Sequence, residues 1–151
     1  MFTRVLRLAV LALICAFITP AAGWSADTEE TVTPGVDLDA ARALVDAQKF
    51  DEALPALRQL DQESPNNPDI LNLMGFSLRK TGSPVEALDY YNRALSLNPR
   101  HLGVNEYLGE LYLELKEPEK AKERLGVLRE ACGDCEEFQE LEAKINQYAG
   151  G

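Results

Sequence analysis

The sequence predicts an all-α solenoid built from three helix hairpins and closed by one further helix. Three observations predict it. Small and apolar residues recur at a fixed interval of 34 residues, each copy carries two runs of apolar positions at helical spacing, and a final amphipathic run follows the last copy. The recurring columns are Ala53, Ala87 and Ala121; Leu44, Leu78 and Tyr112; Leu57, Tyr91 and Leu125; Pro65 and Pro99; and Gly75 and Gly109. A period of that length marks a unit that cannot bury its apolar face alone and must stack on its neighbours.

The chain opens with a segment of a different kind. Arg4 and Arg7 precede an apolar run from Leu8 to Ile18, and Pro20, Ala21, Ala22 and Gly23 follow. Basic, apolar and small in that order is the layout of a secretory signal peptide, and the run falls short of the roughly 20 residues needed to span a bilayer. Residues 1–26 are therefore expected to be removed, with cleavage between about residues 22 and 26, which places the mature protein in the periplasm or outside the cell with no membrane insertion. Cys15 follows the bulky Ile14, which argues against a lipid-attachment site. Residues 27–36 are acidic and β-branched with a Pro-Gly break, and read as a flexible leader.

The three copies are expected at about 34–67, 68–101 and 102–133. In the middle copy, Pro68 to Thr81 reads as one helix with Leu71, Met74 and Leu78 on one face. Gly75 is expected to let a second helix approach closely, with Ala87 facing it, and Gly109 and Ala121 are expected to repeat that contact. Gly82 ends the first helix, and Ser83-Pro84-Val85-Glu86 reads as a capped start of the second. Pro55 falls inside the second helix of the first copy, where a kink or a loosened first turn is expected. A last helix is expected over Cys135 to Tyr148 within residues 134–149, capped by Asp134 and Glu137 and presenting Phe138, Leu141, Ile145 and Tyr148 to the stack.

The pattern Leu71, Met74-Gly75, Leu78, Ala87, Tyr91, Pro99 resembles the tetratricopeptide repeat. The third copy reads Asn105, Leu108-Gly109, Tyr112, Ala121, Leu125, and the first, weaker copy reads Asp37, Ala40-Ala41, Leu44, Ala53, Leu57, Pro65. The resemblance covers residues 37–133 and implies a right-handed solenoid whose first helices line a concave groove for a protein or peptide segment. The groove positions it implies are Arg42 and Asp46 in the first repeat, Asn72, Phe76, Arg79 and Lys80 in the second, and Glu106, Glu110, Leu113 and Glu114 in the third. One end is then basic and the other acidic, with Arg79 and Lys80 expected to take an acidic or carbonyl-rich segment. Phe76 either touches the guest or packs between helices; the sequence leaves both open. Members that clamp a C-terminal carboxylate use Lys, Asn and Arg where Leu38, Arg42, Gly103 and Tyr107 stand here, so that mode is not supported.

The chain carries 15 basic and 25 acidic residues, a net charge of −10. Such a surface repels phosphate backbones, which argues against nucleic-acid binding. Catalysis lacks its residues: His101 is the single histidine, reads as a solvated residue near a turn, and no nucleophile elbow, phosphate loop or zinc-protease motif occurs. No cofactor and no metal are expected. The one pair with chemistry is Cys132 and Cys135, for which three readings stand: a disulfide across the turn, a redox pair, or a metal site completed by a partner. The acidic neighbours Asp134, Glu136 and Glu137 oppose thiolate formation and favour the disulfide. The sequence thus points to an exported, non-catalytic adaptor, with a thiol-redox or metal-handling accessory protein as the alternative and self-association possible through the solenoid ends.

Overall fold

The computed structural model describes residues 37–150, so the expected signal segment (1–26) and leader (27–36) lie outside the described residues. Seven helices follow one another: α1 (Leu38–Asp46), α2 (Phe50–Glu63), α3 (Pro68–Lys80), α4 (Pro84–Leu97), α5 (Leu102–Glu114), α6 (Pro118–Cys132) and α7 (Glu136–Gly150). No described helix is long and apolar enough to cross a membrane. Helices α1–α2, α3–α4 and α5–α6 pair as hairpins, while α1, α3, α5 and α7 adjoin one another in sequence order. The architecture is an all-α solenoid.

The hairpin turns repeat the 34-residue period in their backbone. Gln48, Gly82 and Lys116 all adopt positive φ, at 59°, 85° and 61°. In each turn the next N–H reaches back over the helix end, from Lys49 to Leu44 O, Ser83 to Leu78 O and Glu117 to Tyr112 O, at 2.7–2.8 Å. This is the six-to-one bond that satisfies carbonyls left open at a helix C-terminus. The recurring column Leu44, Leu78, Tyr112 thus supplies the accepting carbonyl as well as a side chain. Glycine takes the left-handed conformation freely only at position 82; Gln48 and Lys116 hold it against a steric cost.

Three apolar clusters run along the stack. The first joins Ala41, Val45, Ala53, Leu57, Ile70 and Met74. The second joins Leu71, Leu78, Ala87, Tyr91, Val104 and Leu108. The third joins Leu113, Ala121, Leu125, Leu128, Phe138, Leu141 and Ile145, with Cys132 and Cys135 packed against it. Asn105, fully buried in the column that Leu71 occupies one repeat earlier, donates to the carbonyls of Pro99 and His101 at 3.1 and 2.9 Å. A buried amide satisfied in this way ties the inter-repeat turn to α5.

Several local expectations change. A methyl group at Gly75 would lie 2.6 Å from the Tyr91 ring, and one at Gly109 would lie 2.5 Å from Leu141 Cδ2. The glycines therefore make room for Tyr91 and Leu141, and not for Ala87 and Ala121 as the column pattern suggested. Ser83 occupies the cap position of α4 without a side-chain bond, since its backbone is committed to the turn. Helix α2 runs unbroken through Pro55, which is exposed; its missing donor leaves the carbonyl of exposed Asp51 open to water. The last helix starts at Glu136, with Cys135 accepting its first backbone bond from Gln139, and Asp134 Oδ1 accepts from the Gln139 carboxamide at 2.9 Å.

Two substitutions check this account. Lys116→Gly removes left-handed strain from a non-glycine residue and should stabilise the chain by about 1 kcal/mol, read as a higher denaturation midpoint with unchanged slope. Gly109→Ala drives a methyl group into Leu141 and should destabilise by roughly 1–3 kcal/mol, with faster amide exchange concentrated in α7. Uniform exchange along the chain would show that Gly109 does not seat that helix.

Candidate functional site: the concave groove

Of the residues expected to line a groove, Arg42, Asp46, Asn72 and Phe76 share one recess, Lys80, Glu110, Leu113 and Glu114 another, and Glu106 a third. A recess of about 430 Å³ is walled by α1, α3, α5 and α7, with Arg42 and Asp46 at one side and Asn72, Phe76, His101, Tyr107 and Glu137 across it. Arg42, Asp46 and Lys80 are exposed, and Phe76 is half-buried. Asn72 is only 8% exposed, and its carboxamide oxygen is buried without a hydrogen-bond partner. An amide acceptor left open in that way ordinarily represents an unfavourable desolvation of about 1–3 kcal/mol.

Phe76 packs between helices and also lines the recess. Its ring packs against Phe50 (centroids 5.9 Å apart) and Tyr107 (4.5 Å) and still forms part of the recess wall. Stacking across α3 and α5 makes a rigid aromatic floor in which little freedom is lost when a guest lies on it.

Arg79 corrects the expected polarity. Its side chain is 2% exposed, with Nη2 2.6 Å from Glu110 Oε2 and Nη1 3.2 Å from Glu114 Oε1, and its guanidinium lies over the rings of Phe76 and Tyr107. Burial works against the charge, and the fields of Tyr91, Glu110 and Glu114 outweigh it, so the pKa moves upward. Arg79 is a strut between α3 and α5 rather than a free cation awaiting a guest, and Glu110 and Glu114 are spent on it. Leu113, also expected in the groove, is buried at 8% exposure in the third cluster, at the edge of a hollow of about 330 Å³ that Lys80, Glu114, Lys144 and Tyr148 share.

Glu106 is 4% exposed and unpaired with any base among the described residues. Burial, together with the hydrogen bond that its protonated carboxyl donates to Glu140 and the nearby charges of Glu140, Glu110 and Glu137, pushes its carboxyl up to about 9. Tyr107 is raised to about 12, chiefly by burial and then by the acids around it. His101 is no solvated bystander. Its Nδ1 accepts from Val104 N–H at 3.2 Å and caps α5, so in the neutral ring Nε2 carries the proton toward Asp69 Oδ1, 3.0 Å away.

The reading from sequence missed Glu137, Glu140, Lys144 and Tyr107 as groove residues. The signal was the same period carried one step further: Leu38, Asn72, Glu106 and Glu140 stand 34 apart, as do Arg42, Phe76, Glu110 and Lys144. Helix α7 therefore continues the row of first helices and lines the groove as well as covering the core. Cys132 ends α6 and Cys135 precedes α7, with Cα atoms 5.7 Å apart and the sulfurs joined; both pack on the third cluster. Among the described residues, no group of three or more potential ligands is arranged to hold a metal ion.

Two family models described as tetratricopeptide repeat match residues 38–101 and 78–145, the second running well into α7. The chain belongs to the tetratricopeptide repeat family. Among solved structures it is similar to the first TPR of Spaghetti (RPAP3) bound to an HSP90 peptide, SRMEEVD, at 19% identity and a TM-score of 0.65, covering 75% of this chain and 90% of that one. It is similar to the Yersinia enterocolitica type III secretion translocator chaperone SycD, in an alternative dimer, at 16% identity and 0.63, covering 74% and 85%. A tetratricopeptide repeat protein from Parabacteroides merdae matches at 21% and 0.63 over 74% of this chain, which spans 44% of that protein's length. These likenesses are of fold. No curated protein matches the sequence.

The raised Glu106 carboxyl gives a signed prediction. The folded state holds its proton from 4.5 up to about 9, whereas the unfolded state releases it near 4.5. The stabilising contribution is therefore complete below the unfolded value and is lost as the pH rises toward the folded one. Melting temperature should fall between those limits, and Glu106→Gln should flatten the fall. A profile identical in the two proteins would place the titration elsewhere.

Proposed function

We propose that this protein is an exported, non-catalytic adaptor that holds an extended segment of a partner polypeptide in its concave groove. The observation that carries the proposal is the polar recess spanning α1, α3, α5 and α7, floored by Phe76 and Tyr107 and holding the unsatisfied Asn72 carboxamide oxygen. The polar wall supplies partners for a guest main chain, and the aromatic floor supplies apolar area. Peptide and chaperone functions belong to the structural relatives themselves: the Spaghetti repeat is bound to a peptide and SycD is a chaperone. They make the same use of this groove a natural reading.

Export rests on the segment at residues 1–26, and the Cys132–Cys135 bond fits that destination, since disulfides persist in oxidising compartments. In this reading the cysteines serve the fold by fixing the turn between α6 and α7. Helix solenoids of this family also associate with copies of themselves, as the SycD dimer illustrates, and the uncovered ends leave room for that here.

Site-specific photocrosslinking in the native envelope tests the groove. A benzophenone side chain in place of exposed Arg42 should trap one partner at a definable segment. The same probe at Glu86, exposed on α4, should not. Trapping from Glu86 and none from Arg42 would move the interface to the convex face.

A further inference from the structure

At the C-terminal end of the groove a second recess, of about 220 Å³, is walled by Glu106, Tyr107, Glu136, Glu137 and Glu140. An acidic cluster alone implies only a solvated surface. Here, however, one member is taken out of water: Glu106 is 4% exposed, and the buried guanidinium of the groove, Arg79, is already committed to Glu110 and Glu114. A buried carboxyl facing other carboxyls and no base is a position prepared for a positive charge. The adjoining recess shares Tyr107 and Glu137 with this one and offers a second open acceptor, the partnerless Asn72 oxygen. Both features ask the guest for donors.

We propose that this recess receives the guanidinium or ammonium group of an arginine- or lysine-bearing segment of a partner polypeptide, with Glu106, Glu137 and Glu140 accepting its N–H groups and the Tyr107 ring as one wall. The inference rests on the groove reading above and gives the guest its chemistry. Charge complementarity favours a basic guest over an acidic one, because the chain carries a net −10 and its buried groove cation is neutralised internally.

The arrangement also defines a proton exchange. In the empty recess Glu106 holds a proton against Glu140; when the cation enters, that proton leaves to solvent and the carboxylate pairs with the cation. The groups that face Glu106 are Tyr107 and Glu110 on its own helix and Glu136, Glu137 and Glu140 on α7. Helix α3 contributes Asn72 and the committed Arg79, Lys144 on α7 lies in the neighbouring hollow, and α4 and α6 contribute no wall. Binding linked to release of one proton strengthens by up to about tenfold per pH unit while the free carboxyl stays protonated, so affinity should climb from neutral pH toward 9.

The test uses the full chain and fluorescein-labelled, end-capped peptides of about nine residues, alternating serine with arginine, citrulline or glutamate, at about 0.15 M salt. Fluorescence anisotropy should show the arginine peptide binding at least about tenfold more tightly than the isosteric, neutral citrulline peptide, with the pH rise just described. Glu106→Gln should weaken binding about tenfold and flatten the pH profile, while Glu86→Gln on α4 leaves both unchanged. Should Glu106→Gln fold poorly by circular dichroism, Glu140→Gln, at an exposed position, must show the same loss. Equal binding of the arginine and citrulline peptides, or arginine binding untouched by both substitutions, overturns the proposal, as does no binding at all. Preference for the glutamate peptide, or neutral binding that Phe76→Ala removes, overturns the basic guest and leaves the groove reading standing.

Discussion

Close approach between helices governs the rest of this structure, and it is set where a side chain is missing. At Gly75 the Tyr91 ring lies so close that a methyl group would sit 2.6 Å from it; at Gly109 the intruder is Leu141. One sequence column thus does two different jobs. In the middle repeat the vacancy closes the hairpin from within, and in the third it admits α7 from outside. Because α7 is seated at Gly109, its Glu137 and Glu140 come to stand beside Glu106, and the groove gains a fourth wall. The packing vacancy and the acidic recess are consequences of the same missing Cβ.

Arg79 then decides which charges of the groove are available. A guanidinium at 2% exposure is favourable only when its donors are met, and Glu110 and Glu114 meet them across the α3–α5 junction. The rings of Phe76 and Tyr107 complete its surroundings. Removing either side of such a pair strands the other, so the strut holds α3 and α5 in fixed relation whether or not it adds net stability. Its effect on recognition is indirect. By using Glu110 and Glu114 it leaves Glu106 without a base, and by burying itself it removes one positive charge from the concave face, where Arg42, Lys80 and Lys144 remain exposed.

The period made the fold legible: seven helices, their order and most of their core positions follow from five columns and two apolar stripes per copy. What the period could not reveal is how a conserved spacing is filled. Gly82 announces a left-handed turn, but Gln48 and Lys116 adopt the same conformation without any signature, because the tertiary frame imposes it. Ser83 looked like a cap and is not one, while His101, which looked incidental, caps α5 through its ring. Register put Arg42, Asp46, Asn72 and Phe76 on one recess, Glu106 on a second, and Lys80, Glu110, Leu113 and Glu114 on a third. Arg79 was misjudged because its partners lie 31 and 35 residues ahead, beyond any local pattern.

Helix α7 both covers the core and lines the groove. A helix that merely covered a core would need one apolar face and could carry anything on the other. This helix also keeps the register of the repeats, so that Glu140, Lys144 and Tyr148 follow Glu106, Glu110 and Glu114 by 34 residues and reach the same concave side. Its entry is made within a few residues, through Gly133 at a φ of 75° between Cys132 and Cys135, both packed on the third cluster. Whatever sets that turn also sets how Glu137 and Glu140 meet Glu106. The cysteine pair and the groove, which the sequence presented as competing clues to function, are thereby neighbours in the fold: the turn between Cys132 and Cys135 leads into the helix that completes the recess.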